Sequence, residues 1–171
     1  MIRLLKQEDA GNLFNYLTDG LSPQSKAWYA PHSFGWETVN FICNNLPGDS
    51  DRYVAIDEEG AIIAYMIIKK GMIDYDRTRL LMKNIYFDQH AICTFAPSVA
   101  DAWQNSGLGS QLYDIIEKDL LETKPYKHII LWGGVNTDNP RAFHFYTKKG
   151  FTKLGSFWYD GKENEDMVKN F

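Results

Sequence analysis

The stretch WQNSGLGSQL, residues 103–112, carries the plainest chemical signal in the chain: Gly107 and Gly109 stand one residue apart, behind Asn105 and Ser106. Apolar residues follow at helical spacing, at Leu108, Leu112, Ile115, Ile116 and Leu120. The first amides of a helix lack intrahelical partners, and the helix dipole favours negative charge there. Two glycines take away side chains that would hold a phosphate off those amides. The chemistry on offer is anion binding, with phosphate first. The pattern (Gln/Arg)-x-x-Gly-x-Gly arises by chance in roughly one chain in ten of this size, so on these residues alone a phosphate loop and a plain helix-start turn are both open.

Other phosphate and metal sites fit less well. Gly-x-x-x-x-Gly-Lys-(Ser/Thr) is absent, and Leu112 stands where a dinucleotide fingerprint needs a third glycine or alanine. There is no His-Glu-x-x-His and no Cys-x-x-Cys, and His32, His90, His128 and His144 show no ligand spacing, so no metal is expected.

The elements that must position the loop follow from pattern and punctuation. Residues 2–6 (IRLLK) form a short strand, and residues 8–16 a helix. Residues 21–36, with two prolines and several aromatics, form a loop with a short helix. Residues 36–46 have a helical period through Val39, Phe41, Ile42 and Leu46. Residues 53–56 and 61–69 make a hairpin about a DEEG turn. Residues 72–89 are a segment of mixed charge, and residues 90–100 a strand bulged or partly at an edge at Pro97, which has no backbone donor. Residues 126–135 (YKHIILWGGV) form one continuous buried strand. A helix follows, with Asn139 as N-cap, Pro140 at its first position and Gly150 at its stop. Two strands about DGKEN close the chain.

With 171 residues, 44% hydrophobic and 23% charged, the chain suits one globular domain with a real core. A net charge of -4 offers no basic stripe for nucleic acid or an anionic membrane surface. No uncharged apolar run approaches the ~18 residues that span a bilayer, and the charged N-terminus lacks a signal-peptide core. Cys43 and Cys93 sit in apolar settings and read as buried thiols. The expected location is the cytoplasm.

Two ordered motifs sharpen the reading. Gln104, Gly107 and Gly109 match (Gln/Arg)-x-x-Gly-x-(Gly/Ala), and Asn139, Ala142, Phe145, Tyr146, Gly150 and Phe151 match Asn-x-x-Ala-x-x-Phe-Tyr-x-x-x-Gly-Phe. Together they resemble the GCN5-related N-acetyltransferase (GNAT) family. The resemblance implies an α+β fold, a mixed and mostly antiparallel sheet flanked by helices, with residues 1–171 as one domain. It implies acetyl-CoA as co-substrate, with the pantetheine arm laid as an added strand along Ser98, Val99 and Ala100. The pyrophosphate would meet amides from Gln104 or Asn105 through Ser106, Gly107, Leu108, Gly109 and Ser110. Asn139 would touch the pantetheine amides or serve only as a helix cap. Tyr146 would point its hydroxyl at the thioester sulfur or be ordinary core.

The implied reaction is direct attack of a primary amine on acetyl-CoA, by a protein that is a monomer or homodimer. An alkyl amine of pKa near 10.4 is about one part in a thousand neutral at pH 7.4, equivalent to roughly 4 kcal/mol of barrier, so a base or water chain is required. By type, His32, His90, Asp101 and His144 are open, with loop capping an equal reading for Asp101. A phenol of pKa about 10 protonating a thiolate of about 8.5 is uphill by roughly 2 kcal/mol, which favours a hydrogen bond from Tyr146 to the developing thiolate. The acceptor would be shaped by residues 21–37 and 72–89. There AWYAPHSFGW could wall a pocket and Asp74 with Asp76 could meet a cation; core aromatics and a solvated charged loop are the plainer readings. The alternatives are a non-catalytic acyl-CoA-binding sensor or interaction module on the same fold, and an unrelated nucleotide-binding protein.

Overall fold

The computed structural model describes residues 1–171. Its contacts cluster into two compact units, Met1–Ile68 with Ala96–Lys118, and Lys69–Phe95 with Asp119–Phe171.

In the first unit, β1 (Ile2–Leu4) pairs antiparallel with β2 (Ser50–Ile56), Ile2 opposite Ala55 and Leu4 opposite Tyr53. Beside β2 runs β3 (Ile62–Lys70), whose residues from Ile62 to Ile68 are all buried, as an apolar run covered on both faces must be. The expected hairpin turn lies between them, where Asp57 Oδ1 accepts from the amides of Glu59 and Ala61. The end of β4 (Ile92–Val99) follows, and the Ala100 amide donates to the Ile63 carbonyl. Helix α1 (Ala10–Asp19) buries Leu13, Tyr16 and Leu17, one face at spacings of three and four. Helix α2 (Pro23–Trp28) starts where Ser22 Oγ accepts from the Ser25 amide and Pro23 takes the first turn. In α3 (Trp36–Asn44) the buried pair is Val39 and Cys43, whereas Phe41 is exposed. The helix expected after the glycine loop is α5 (Leu108–Thr123); it begins here and runs on into the second unit, burying Leu112, Tyr113, Ile116 and Leu120 and leaving Ile115 exposed.

In the second unit, the start of β4 pairs in parallel with β5 (His128–Leu131), from Ile92 opposite His128 to Phe95 opposite Leu131. That pairing ends two residues before Pro97, so the proline takes no donor from this ladder, in line with its expected edge position. The strand β8 (Lys162–Asn170) pairs antiparallel with β5, with β6 (Val135–Asn136) and with β7 (Thr152–Tyr159). The fold is thus α+β with a mixed, mostly antiparallel sheet, as expected. Met72, Leu80, Ile92 and Ile130 form a buried cluster, with Ile85, Phe87 and Leu154 packed against it.

Two expectations need correction here. The continuous strand over residues 126–135 is broken into β5 and β6 by a turn at Trp132–Gly134. Gly133 and Gly134 both have positive φ (66° and 69°), a conformation no ladder residue takes. At Gly134 an added Cβ would stand 2.7 Å from the Glu165 carbonyl oxygen, so glycine is required. The segment 72–89 is not a charged loop but contains α4 (Asp74–Met82). Asp76 on it does not face solvent or a diffusible cation. It is fully buried, accepts from Arg79 (2.7 Å) and the Gly133 amide (2.8 Å), and burial pushes its carboxyl above the usual value. Arg79 also donates twice to buried Asp166 (2.6 and 3.0 Å) and lies over the Phe157 ring at 3.6 Å. Helix α6 (Pro140–Lys148) and the hairpin of β7 and β8 follow the expected pattern.

Candidate functional site

The glycine loop joins the end of β4 to α5 through a single 3-10 turn, Asp101–Trp103. Its path depends on two left-handed residues, Asn105 (φ 63°) and Gly107 (φ 85°). Asparagine tolerates that region better than most residues, and glycine is indifferent to it. Ser106 Oγ donates to the Trp103 carbonyl (2.6 Å) and lies 3.4 Å from the Leu108 amide. The amides of Ser110 and Gln111 turn back to the Gly107 carbonyl (3.0 and 3.1 Å), which starts the helix. A Cβ added at Gly107 would meet nothing within 4 Å. One at Gly109 would touch only Val99 Cγ2, at 3.5 Å. The packing of the fold therefore leaves space over Gly107. The Gln104 side chain turns inward instead, donating to the Val99 carbonyl (3.1 Å) and Asp101 Oδ1 (3.2 Å), so it pins the turn to the strand end. Asp101 is thereby a loop-capping group.

Ser98 lies at the centre of a hydroxyl cluster within the same unit. Its Oγ accepts from the Tyr16 hydroxyl (2.8 Å) and donates to the Tyr65 carbonyl (3.1 Å). The Tyr65 hydroxyl accepts from Arg52 Nη1 and lies 3.4 Å from His32 Nε2. Tyr29 stacks on Phe34 (6.3 Å, 14°), and Phe34 meets His32 edge to face (6.1 Å, 90°). The Tyr29 hydroxyl is buried beside Ser98 and the phenols of Tyr16 and Tyr65. Burial pushes the phenols of Tyr16 and Tyr29 well up, and that of Tyr65 to about 12. Part of AWYAPHSFGW thus gathers as Tyr29, His32 and Phe34 against Tyr65, while Trp36 is half-exposed against Phe14. Tyr16, Arg52 and Tyr65 were not singled out from sequence. Each sits in an ordinary amphipathic or apolar pattern, and only the fold brings them to Ser98.

In the second unit, Asn139 caps α6, its Oδ1 accepting from the Ala142 amide (3.1 Å). This is the helix-cap role, and it leaves the side-chain amide nitrogen as a donor. Tyr146 is buried, its ring set edge to face with Phe145 (5.2 Å) and Phe151 (5.5 Å). Burial raises its phenol well above the ordinary value, with no other cause acting. Among the base candidates, His90 and His144 are exposed. No three His, Cys, Asp or Glu side chains come together as a metal site would need.

The family model described as "Acetyltransferase (GNAT) family" matches residues 21–151. No curated protein matches the chain. Among solved structures, a ribosomal-protein-S5-alanine acetyltransferase from Vibrio fischeri superposes with a TM-score of 0.77 at 16% identity, covering 99% of this chain and 91% of the other. AAC(6')-Ib in complex with Parmomycin and acetyl-CoA gives 0.72 at 19% identity, over 99% and 92%. A variant of the spermidine N-acetyltransferase SpeG from Vibrio cholerae gives 0.70 at 18%, over 99% and 94%. At these identities the likeness is one of fold. No helix is long and apolar enough to cross a membrane.

Proposed function

The chain belongs to the acetyltransferase (GNAT) family, a family of N-acetyltransferases, and from that premise we propose that residues 1–171 act as one domain that moves an acetyl group from acetyl-CoA to a primary amine by direct attack. The observation that carries this reading is the loop at the start of α5. Two left-handed residues aim it, and the space over Gly107 is taken up by no packing contact. The amides from Asn105 to Gly109 would hold the pyrophosphate, those of Gln104 and Ser110 being bonded to the Asp101 and Gly107 carbonyls, with Ser98, Val99 and Ala100 pairing the pantetheine arm. Tyr146 would stabilise the developing thiolate, and the free amide nitrogen of Asn139 would donate to pantetheine.

The reaction balances without a metal. The amine nitrogen forms the new bond to the carbonyl carbon, and the C–S bond breaks. The ammonium proton goes to a base, and the second amine proton ends on the thiolate as free CoA. A buried phenol such as Tyr146 stays protonated at neutral pH, so its O–H is available to the sulfur throughout. Cys43 and Cys93 are buried and form no disulfide, which suits the reducing cytoplasm.

Calorimetric titration of acetyl-CoA, with ATP and NAD as controls, tests the cofactor. Selective binding at micromolar to tens of micromolar, roughly -6 to -8 kcal/mol, is expected. No binding at millimolar acetyl-CoA by folded protein would overturn it. Release of CoA thiol with a panel of spermidine, an alanine-ended peptide and an aminoglycoside then separates an enzyme from a non-catalytic acyl-CoA sensor.

A further inference from the structure

Amine acetylation needs a group to take the ammonium proton, and the cluster around Ser98 contains one candidate whose surroundings suit the task. The ring of His32 is held on three sides. Nδ1 lies 2.8 Å from the Ser33 carbonyl oxygen. A carbonyl only accepts, so Nδ1 carries the hydrogen and the neutral ring keeps its lone pair on Nε2. Phe34 and Tyr65 meet the ring edge to face at 6.1 and 5.9 Å. Nε2 itself has only a long 3.4 Å contact, to the Tyr65 hydroxyl. That hydroxyl accepts from Arg52, so its own O–H is the donor that faces Nε2 across this long contact. The unshared pair on Nε2 is therefore held in place by a weak donor that a closer one can displace.

We infer that His32, through Nε2, is the base that takes the proton from the acceptor amine; this rests on the reading of the chain as an acetyl-CoA-dependent N-acetyltransferase. Other features of the same unit agree. The groups facing the ring are the Arg52 guanidinium from β2, the Tyr65 phenol from β3, and Ser33 and Phe34 from its own segment. Burial, with the Arg52 charge as a smaller cause, holds the imidazole below its usual pKa, so it is neutral at pH 7 and able to accept. Tyr16 and Tyr65 tie this group to Ser98 at the end of β4.

The proton account closes. The ammonium gives one proton to His32 Nε2, the neutral amine attacks the thioester carbonyl carbon, and the C–S bond breaks. The second N–H proton is lost to the departing thiolate, giving CoA thiol and the amide. The imidazolium then returns its proton to water.

Two measurements decide. In the first, His32→Gln is compared with wild type for acetyl-CoA binding and for turnover of spermidine, an alanine-ended peptide and an aminoglycoside between pH 5.5 and 9. The variant is expected to bind acetyl-CoA as wild type does and to lose 10²- to 10⁴-fold in kcat/KM. The wild-type fall in kcat/KM on the acid side, as the ring gains its proton below the ordinary imidazole range, is expected to vanish in the variant. Turnover within threefold of wild type, or an unchanged acid limb, would overturn the role of His32 alone. Loss of acetyl-CoA binding by wild type would instead overturn the acetyltransferase reading. The second measurement needs no acceptor. Nitrogen-15 spectra of the ring at pH 7.5 are expected to show Nδ1 protonated and Nε2 bare; an Nε2-protonated or cationic ring overturns the inference.

Discussion

Replacing Gly107 by alanine separates a ligand loop from a structural turn, because Gly60 provides a matched control. Both glycines have nearly the same backbone angle, φ 85° and 87°, and a Cβ at either would meet nothing within 4 Å. An L-residue forced into the left-handed region costs roughly 1–2 kcal/mol. At about 2–4 °C per kcal/mol for a chain of this size, either variant should lower Tm by about 2–8 °C. Strain is therefore the same in both, and packing contributes to neither.

Affinity is where they should part. If the space over Gly107 takes the pyrophosphate, the methyl group pushes it off one or two amides. A hydrogen bond to a charged group is worth about 1.5–3 kcal/mol, so each bond lost weakens binding about 10- to 150-fold. Calorimetry with acetyl-CoA should show that loss for Gly107→Ala. Gly60→Ala should bind within twofold of wild type. A loss of 1–2 kcal/mol in folding leaves nearly all of either variant folded, so instability cannot mimic the difference. Equal Tm shifts with equal acetyl-CoA affinities would refute the reasoning and leave the loop as a helix-start turn.

Other consequences are as direct. Tyr146→Phe should lower kcat by about 10- to 150-fold, the worth of one hydrogen bond to a developing charge, with acetyl-CoA affinity within threefold; equal losses in both would count against the thiolate role. Arg79→Met leaves Asp76 buried without its cation and Asp166 with only Lys83 at 3.5 Å, which should cost about 3–5 kcal/mol and lower Tm by roughly 6–20 °C; a shift under 3 °C in thermal melting would contradict that account. Asp9 is gripped by Arg3 through two bonds of 2.7 and 2.8 Å, and this partner holds its carboxyl below the usual value. Its contribution is full above the unfolded pKa, about 3.9, and is lost as pH falls through the lower folded value. Urea denaturation of Asp9→Asn should therefore show a shallower loss of stability below pH 4, and an unchanged slope would remove Asp9 from acid unfolding.

What could be read from the sequence was local, and what could not was long-range. The cap at Asn139 is set by a side chain that reaches three residues ahead, and the glycine loop and its helix are fixed within twenty positions. Two glycines in YKHIILWGGV carried the break between β5 and β6 in plain view, but the apolar run before them outweighed it. Helix α4 was lost because its pattern is polar: Asp76 and Arg79 are core residues only because Asp166, ninety positions after Asp76, completes their charge balance. The cluster at Ser98 is harder still. It draws Tyr16, Tyr29, His32, Arg52 and Tyr65 from three elements and one loop, and no spacing rule joins them.

The phenols of the chain bear on the division of labour in the reaction. Tyr16, Tyr29, Tyr65 and Tyr146 all have their ionisation pushed above the ordinary value by burial. None can serve as a base near neutral pH, because each holds its proton. The same shift makes full transfer of the Tyr146 proton to a thiolate of pKa about 8.5 costlier than the roughly 2 kcal/mol of an ordinary phenol. A hydrogen bond does not carry that cost, and it strengthens as negative charge grows on the sulfur. In the proposed reaction Tyr146 would therefore act as a donor that keeps its proton, and the thiolate would take its proton from the amine nitrogen. Proton removal then falls to a group with an ordinary or lowered pKa. His32 meets that condition by burial and by Arg52, while the tyrosines around it supply hydroxyls that orient and do not titrate.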